Sequence, residues 1–508
     1  MKKRNRILAL ILVGVLAIGC FAGCGKKGGN NKKGGEGATD IEISYWNAGL
    51  GTDWLDAVIA GFTKKYPEYN VYYNETASPT AVVAAYGLED TDTVDLYMAT
   101  KRYDTTYLEP LNDVLETTAD GDSKTIKEKF NADYLMLEEY DGNYYNLTHG
   151  GGIIGFVYNK ALFKEAGIVT IPRTTDEFAL VCGTLADNNI KPLAHFKPSG
   201  YYAWLTETWF SQYEGVNNYR DFYANPTKEK MTKEDGRYEA IKAYEKIVTP
   251  ENVLQGSNSE THISIQTKFL EGKFAIMLNG SWLSSEMQNN KKIDDFEMMK
   301  TPVISSITDK LSTVKSEPEL RKLITAIDNV TDGVETEDTY KDGDNYVVDG
   351  KSVSQEDWKY VMAARNSLAA NYAAESNFIP KYSNAKEGAK KFLEYLYSDE
   401  GYKIYLDTLH IQMPLSLSEG EVSTEGWNSF EKNQKELFDK TDYFVTKEIM
   451  NRHKLFTDGG ADPLAGYEFI GLMCSNSEAD RINAKEVWDY VVKSINEKYD
   501  SDWLKNIK

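Results

Sequence analysis

Residues 40–76 read DIEISYWNAGLGTDWLDAVIAGFTKKYPEYNVYYNET, and their pattern decides the fold class. The first residues alternate β-branched and aromatic side chains with polar ones, which is typical of a strand. Apolar residues then recur at helical spacing between Thr52 and Tyr66, and Pro67 ends that helix. A second strand-like run, NVYYNET, follows. Because strands separated by helices favour a parallel sheet, this stretch predicts an α/β fold in which helices cover both faces of the sheet.

The same alternation continues along the chain. The segment TVDLYMAT predicts a third strand and LEPLNDVLE a short helix. A second α/β unit is predicted from about residue 156 to about residue 270, with an aromatic-rich helix from Tyr201 to Tyr213. The strongly polar stretch 305–357 contains a hairpin signal, NYVVDGK, and we expect it to be a surface elaboration outside the core. From Ala385 to the C terminus the pattern is helical.

The first 39 residues differ from the rest in composition. Basic residues precede an apolar run, residues 7–18, that is shorter than the ~20 residues a membrane-spanning helix needs, so residues 1–23 read as a signal peptide. The sequence FAGC matches the lipobox of bacterial lipoproteins better than AIGC does, which favours Cys24 over Cys20 as the lipidated residue. The alternative is a secreted soluble protein with incidental cysteines. Residues 24–39, rich in Gly, Lys and Asn, predict a flexible linker.

The remaining chain is strongly acidic and poor in cysteine. Residues 1–39 hold eight Lys or Arg and one Glu, so the remainder has 49 basic against 77 acidic residues, a net charge of −28. This balance opposes binding to nucleic acid through a basic patch. Cys182 and Cys474 both lie in apolar helical patterns, so we expect buried thiols and no disulfide framework.

Motifs of known catalytic chemistry are mostly missing. The five histidines form no HExxH spacing, and no GxSxG, Walker A or CxxC sequence occurs. The GGG at 150–152 lacks the form of a dinucleotide loop, and DGDS and DGDN lack the glycine and glutamate of a calcium loop. The many carboxylates leave a glycosidase-like pair open, but no pair stands in an apolar context that would raise the pKa of a general acid. From these residues no catalytic, cofactor or metal site is predicted, with calcium and a hydrolase as the alternatives left open.

Aromatic residues are the notable excess, with nine Trp and 34 Tyr. Several stand at strand ends or turns beside small polar residues, where core packing alone does not call for them. A flat ring exposed in a cleft can stack on the apolar face of a sugar, which makes these residues candidate ligand contacts, with packing in the core as the alternative. The candidates are Trp46, Asn47, Tyr201, Tyr202, Trp204 and Trp282.

Several separated motifs together resemble one family. They include YWN with the helix ending in FTKKYPEYNV, then TVDLYM, GNYYNLT with GFVYNKALFKEAGI, FLEGKFAIMLNGSW, and FLEYLYSDEGYKIYLDTLHIQMPL. In this order they resemble the extracellular solute-binding lipoproteins of ATP-binding-cassette carbohydrate importers, the maltose-binding-protein-like family. His149 departs from the pattern, since proline is usual there, and the stretch 305–357 has no counterpart.

The resemblance implies two α/β lobes, a hinge and a ligand cleft between the lobes. On that basis residues 40–155 and 274–380 form lobe 1, and residues 156–273 and 381–508 form lobe 2. Hinge crossings are expected near residues 151–156 and 274–280.

The resemblance also implies which residues meet the ligand. Trp282, after the Asn-Gly turn, is expected to stack on a sugar, and so is Tyr201 or Tyr202. Trp46 and Asn47, after the first strand, are expected to line the cleft.

The sequence thus predicts a monomeric protein anchored by lipid at the extracellular face of the membrane. It would capture a sugar or oligosaccharide and deliver it to the permease subunits of an importer. The alternatives are a secreted carbohydrate-active hydrolase and a binding protein for another solute, such as a peptide or polyamine.

Overall fold

The computed structural model describes residues 37–76, 93–150, 152–195, 201–287, 293–446, 449, 456, 463–464 and 468–499. The predicted signal peptide and Cys24 lie outside the described residues. The strands are β1 Thr39–Tyr45, β2 Tyr69–Glu75, β3 Leu96–Ala99, β4 Glu139–Tyr140, β5 Asn143–Tyr144, β6 Leu147–Thr148, β7 Ile153–Asn159, β8 Ile276–Gly280, β9 Phe296–Met299, β10 Lys341–Asp342, β11 Asn345–Val348, β12 Lys351–Ser354, β13 Ser367–Ala370, β14 Ser376–Phe378 and β15 Tyr443–Val445.

The α-helices of the described residues follow in chain order. They are Asp53–Lys65, Asn112–Glu116, Ile126–Lys129, Ala132–Glu138, Lys160–Glu165, Thr175–Asp187, Tyr201–Glu214, Val216–Ala224, Lys228–Thr232, Gly236–Ile247, His262–Leu270, Leu283–Glu286, Glu317–Thr331, Gln355–Arg365, Lys386–Leu396, Asp399–Leu409, Ser429–Asp439, Phe469–Met473 and Ala484–Tyr499.

Lobe 1 is built on a five-stranded sheet in the order β2-β1-β3-β14-β6. Strands β2 and β3 pair with β1 in parallel, as the opening stretch predicts, and β14 joins β3 antiparallel. The predicted first helix is confirmed as Asp53–Lys65, one residue shorter at each end. Acidic residues in its first turn and lysines in its last turn complement the helix dipole, and its apolar face packs on the sheet.

Lobe 2 is built on a second sheet in the order β15-β13-β7-β8, with β9 also paired to β7. Its central strand β7 is buried along its whole length, which explains why IIGFVYN has no polar face. Helices Thr175–Asp187 and Tyr201–Glu214 cover this sheet, with Phe156 and Phe178 4.5 Å apart between ring centroids. Cys182 is buried here and Cys474 is buried nearby, as predicted.

Two of the crossings between the lobes lie side by side, and a third follows the helix Asp399–Leu409, because β15 pairs with β13 in lobe 2. The chain passes from lobe 1 to lobe 2 between β6 and β7, and returns between β13 and β14. The N–H of His149 donates to the carbonyl of Glu375 at 2.9 Å, and the N–H of Asn371 donates to the carbonyl of Gly152 at 3.2 Å. The first crossing agrees with the expected one, whereas the second lies at residues 371–375 instead of 274–280, because β8 pairs with β7 inside lobe 2.

The predicted division of the chain differs from the structure after residue 273. Strands β8, β9 and β13 belong to the sheet of lobe 2, not lobe 1. Helices Lys386–Leu396 and Asp399–Leu409 pack on lobe 1 instead of lobe 2, and the rings of Phe392 and Phe62 lie 5.3 Å apart. The physical reason is complementarity between two one-sided apolar helix faces that stand far apart in the sequence.

The polar stretch 305–357 is not confined to the surface, so that prediction is wrong. The hairpin signal is confirmed as β11 and β12, joined through Asp349 and Gly350 at positive φ. The helix Glu317–Thr331 buries one apolar stripe in the core of lobe 2, and Tyr346 stacks on Trp358 at 4.2 Å. The polar composition of the stretch hides this stripe, because the opposite face of the helix carries the charges.

Candidate ligand-binding site

The loop after β1 has a backbone that sequence reading does not reveal. Ala48, Gly49 and Gly51 all have positive φ, a region that L side chains seldom adopt. The Tyr45 hydroxyl donates to the carbonyl of Gly51 at 2.6 Å, and the Trp54 Nε1–H donates to that hydroxyl at 3.0 Å. The loop is therefore held in shape from inside lobe 1.

Asn47 fixes the outer part of this loop. Its Nδ2 donates to Glu75 Oε1 at 2.5 Å, and its Oδ1 accepts from the N–H of Gly49 at 3.1 Å. Trp46, in contrast, turns towards lobe 1 and packs on the cluster of Tyr97 and Phe378. Of the two predicted cleft residues in this loop, the structure ties Asn47 to the loop and partly buries Trp46.

Asn279 and Gly280, predicted as a turn, are the last two residues of β8, and the glycine before Trp282 has a steric explanation. A Cβ on Gly280 would lie 2.3–2.5 Å from three ring carbons of Trp282, so the indole lies directly over the glycine. The Asn279 Oδ1 accepts from the N–H of Gly280 at 2.7 Å, and Asn279 is fully buried. Only glycine allows the ring of Trp282 to fold back over the end of β8.

Trp282 meets Tyr201 on its other side. The two rings stack with centroids 5.9 Å apart and an angle of 27°, and the Trp282 Nε1–H donates to the Tyr201 hydroxyl at 3.2 Å. Trp282 is 6% exposed and Tyr201 is half-buried. The structure therefore brings these two candidates into one aromatic pair in which Tyr201 is the more exposed ring.

A chain of polar groups extends from this pair. The Tyr201 hydroxyl lies 3.4 Å from His262 Nε2, which lies 2.9 Å from Gln266 Nε2. The same Gln266 nitrogen donates to Glu286 Oε2 at 2.5 Å. His262, Gln266 and Glu286, with the pair Tyr201 and Trp282, are called the cleft cluster below.

The cleft cluster contacts lobe 1 through the short helix Leu283–Glu286. The Ser285 hydroxyl donates to the carbonyl of Gly49 at 3.1 Å. A Cβ on Gly49 would lie 3.0 Å from Glu286 Oε1, so that carboxyl group also reaches the loop after β1. Residues from three distant parts of the chain thus meet where the two lobes approach each other.

Burial sets the protonation of the cluster. Loss of water raises the pKa of Glu286, against an opposing hydrogen bond from Gln266. Burial lowers the pKa of His262 to about 4, so this imidazole is neutral at pH 7. Burial also raises the pKa of Tyr201, and the nearby Glu286 carboxylate adds to that shift. The cluster contains no positive charge of its own.

Two of the predicted candidates lie in the core of lobe 2 instead. Tyr202 is buried, its ring lies 5.3 Å from His195 and 5.8 Å from Tyr244, and its hydroxyl donates to the carbonyl of Ala194. Trp204 is also buried in this core. Consecutive positions on a helix face different directions, so Tyr201 alone of this group reaches the cleft cluster.

Sequence reading missed His262, Gln266 and Glu286. A signal for the first two exists, since they are four residues apart and therefore share one face of the helix His262–Leu270. Glu286 had no signal, because a carboxylate in so acidic a chain does not stand out. In the part of the chain that the structure describes, no group of three or more His, Cys, Asp or Glu is arranged to hold a metal ion.

Solved structures share this fold. The bacterial solute receptor AcbH, described as having an exclusive substrate preference for β-D-galactopyranose, aligns over 92% of this chain and 100% of its own, with a TM-score of 0.61 and 15% identity. A chitin oligosaccharide binding protein aligns over 91% and 98%, with a TM-score of 0.60 and 17% identity. RafE from Streptococcus pneumoniae aligns over 92% and 99%, with a TM-score of 0.59 and 14% identity. At these identities the likeness concerns the fold, which is the two-lobe solute-binding architecture.

Relatives by sequence point the same way. An uncharacterised ABC transporter extracellular-binding protein of Pyrococcus horikoshii is 26% identical over 211 residues, which are 38% of this chain and 46% of that protein. The chain thus matches less than half the length of this curated relative. Within the described residues, no helix is long and apolar enough to cross a membrane. The model of the family described as bacterial extracellular solute-binding protein matches residues 48–403, and this chain therefore belongs to that family.

Proposed function

We propose that this protein captures a sugar or oligosaccharide between its two lobes and delivers it to an importer of the ATP-binding-cassette type. The main observation behind the proposal is the stacked pair of Tyr201 and Trp282, which lies where the two lobes approach each other. Aromatic rings beside polar groups are the side chains that sugar recognition needs, because a pyranose has an apolar face and a hydroxyl-rich rim. The galactopyranose, chitin oligosaccharide and raffinose named for three structural neighbours support this choice of solute.

In this proposal the more exposed Tyr201 meets the sugar first. Trp282 holds Tyr201 through its stack and its Nε1–H, and Asn47 shapes the facing loop of lobe 1. A ligand touching both lobes stabilises the closed arrangement, whereas a ligand touching one lobe would not shift the equilibrium. The two antiparallel crossings, which meet through His149 with Glu375 and Gly152 with Asn371, are the proposed hinge.

The main test is affinity after removal of each ring. Trp282→Ala and Tyr201→Ala should each weaken sugar binding by about 1–3 kcal/mol, as loss of a buried aromatic anchor does. Calorimetric titration with a panel of mono- and oligosaccharides measures this, and Tyr140→Ala, which removes an exposed tyrosine of lobe 1, is the matched control. Unchanged affinity in both cleft variants would refute the proposed site.

The proposal includes no chemistry. Incubation of the purified protein with oligosaccharides should return them intact, whereas release of shorter products would favour the hydrolase. Binding of peptides or polyamines in the same calorimetric panel, without any saccharide, would favour another solute.

We also propose that a lipid on Cys24 holds the protein at the extracellular face of the membrane, with residues 24–39 as the tether. The proposal rests on the FAGC sequence and on the Gly-rich composition of that segment. Replacement of Cys24 by alanine should move the protein from the membrane fraction to the soluble fraction. Retention in the membrane fraction would point to Cys20 or to another anchor.

A further inference from the structure

Among the described residues, Glu286 lacks the cation that two other carboxylates withdrawn from water have as a partner. Asp328 is bound by Arg365 at 2.9 Å and Lys300 at 3.1 Å, and Asp122 is bound by Lys129 at 2.5 Å. Glu286, in contrast, forms no ion pair within the described part of the chain, and its hydrogen bond comes from the neutral amide of Gln266. A carboxylate that is withdrawn from water is costly unless a cation or several donors compensate it.

The pKa values of the ion-paired Asp328 and of Glu286 shift in opposite directions. At Asp328, burial alone would raise the pKa, but Arg365 and Lys300 overcome it and the pKa is lowered. At Glu286, burial raises the pKa and no cation opposes it. In the cleft cluster, no cation of the described chain offsets the cost of withdrawing this carboxyl group from water.

A second residue of the same cluster, Gln266, has an acceptor atom without a hydrogen bond. Gln266 is fully buried, and its Oε1 accepts no hydrogen bond in the described structure. Its Nε2 is already shared between His262 and Glu286. An acceptor amide oxygen next to an uncompensated carboxylate calls for a group that has several N–H donors and a positive charge.

The aromatic pair adds a third feature. Tyr201, which stacks on Trp282, brings a π-system near Glu286, and such a face attracts cations as well as sugar rings. A neutral sugar would satisfy the rings but leave the charge of Glu286 without a counter-ion. A protonated amine on a sugar would satisfy both.

We propose that the solute carries a protonated amino group, as amino sugars do, and that Glu286 is its counter-ion, with Gln266 Oε1 accepting a further N–H. This inference rests on the proposed function, because it assigns a class of sugar to the same site. In this inference Glu286 makes the affinity for amino sugars higher than the affinity for neutral sugars. The carboxylate and amide are held in place by the helix Leu283–Glu286 and the helix His262–Leu270.

The test compares two ligand series that differ at the sugar nitrogen, which is a protonated amine in one series and an uncharged acetamide in the other. Short glucosamine oligomers and their N-acetylated counterparts are titrated calorimetrically into the wild-type protein at pH 6, where the free amines are protonated. The amine series should bind about 10- to 100-fold more tightly, the range expected for charge-assisted hydrogen bonds. Equal or tighter binding of the acetylated series would overturn this inference and leave the proposed sugar-binding function standing.

A pair of variants locates the preference. Glu286→Gln keeps the shape of the side chain but removes its charge, and it should abolish the preference for the amine series. Glu271→Gln removes a charge from an exposed residue after the helix His262–Leu270 and should leave the preference unchanged. An unchanged preference in Glu286→Gln, with thermal unfolding showing a folded protein, would also overturn the inference. If no saccharide of any kind binds the wild-type protein, the proposed function fails first and this inference fails with it.

Discussion

Trp54 and Trp282 are both almost fully buried beside a tyrosine, yet their surroundings differ. Trp54 is 1% exposed, and all its ring neighbours, Tyr45, His149 and Tyr405, are buried as well. Trp282 is 6% exposed, but Tyr201 beside it is half-buried and leads to the polar chain that ends at Glu286. The exposure of a tryptophan therefore says less about its role than the exposure of the groups it contacts.

The hydrogen bonds of the two indoles make the same distinction. The Trp54 Nε1–H donates to Tyr45, whose hydroxyl donates in turn to a backbone carbonyl, so that the series ends inside lobe 1. The series from Trp282 runs through Tyr201, His262 and Gln266 to a carboxylate without a cation. The hydrogen-bond series from Trp54 ends within the protein, whereas the series from Trp282 ends at a carboxyl group that can still bind a group of the ligand.

Removal of the Trp54 ring should have the largest effect on stability. Trp54→Ala would leave a cavity between three aromatic rings and cost about 3–5 kcal/mol of unfolding free energy, as large-to-small changes in cores do. Denaturant unfolding of the ligand-free protein measures this loss. The same measurement on Trp282→Ala should give a clearly smaller loss, and equal losses would remove the distinction between the two tryptophans.

Gly280→Ala should disturb the Trp282 site specifically. The new methyl group would overlap three ring carbons at 2.3–2.5 Å and force the indole away from Tyr201. We expect a cost of about 1–3 kcal/mol in stability, the usual range for overpacking, together with weaker sugar binding. Denaturant unfolding and calorimetric titration measure the two effects.

The matched control for this substitution is Gly183→Ala. Gly183 lies in the helix Thr175–Asp187, and a Cβ there would meet no atom within 4 Å. The control should stabilise the protein by up to about 1 kcal/mol, because alanine favours the helix over glycine. Retained sugar affinity in Gly280→Ala would show that the position of the Trp282 ring does not matter for the ligand.

Sequence patterns predicted the local units of this fold better than their assembly. The parallel strands β1, β2 and β3 and the helix Asp53–Lys65 follow directly from periodicity, because each buries one regular face. The assignment of the helix Lys386–Leu396 to lobe 2 was wrong, since no local pattern says which of two apolar surfaces a helix will cover. The helix Glu317–Thr331 was missed because its apolar stripe is narrow within a very polar stretch.

The candidate site was predictable in part for related reasons. An aromatic residue after an Asn-Gly turn pointed to Trp282, and the steric role of Gly280 gives that pattern a cause. Tyr201 could not be distinguished from Tyr202, because the direction of each side chain depends on where the helix Tyr201–Glu214 begins. Glu286 could not be found from the sequence, because its special property is the missing cation, and ion pairs between distant residues are set by the fold.

A fall in pH should destabilise the protein more through His149, beside Trp54, than through His262, near Trp282. Burial lowers the pKa of His149 to about 3, with a smaller opposing effect of Asn377, whereas an unfolded chain has a histidine pKa of about 6.5. The unfolded state therefore takes up a proton as the pH falls below about 6.5 while the folded state does not. This difference is absent above that pH and should cost about 1–2 kcal/mol of stability between pH 7 and pH 5.

His149→Phe tests this directly, because phenylalanine can stack on Trp54 but cannot titrate. The variant should lose less stability than the wild type between pH 7 and pH 5 in denaturant unfolding, and it should keep its sugar affinity at pH 7. His262→Phe should reduce the pH dependence less, since His262 is only half-buried, but should weaken sugar binding because it removes the contact with Tyr201 and Gln266. The opposite result would be weaker sugar binding in His149→Phe and the larger loss of pH dependence in His262→Phe. It would place the cleft beside Trp54 instead of Trp282 and reverse the comparison between the two tryptophans.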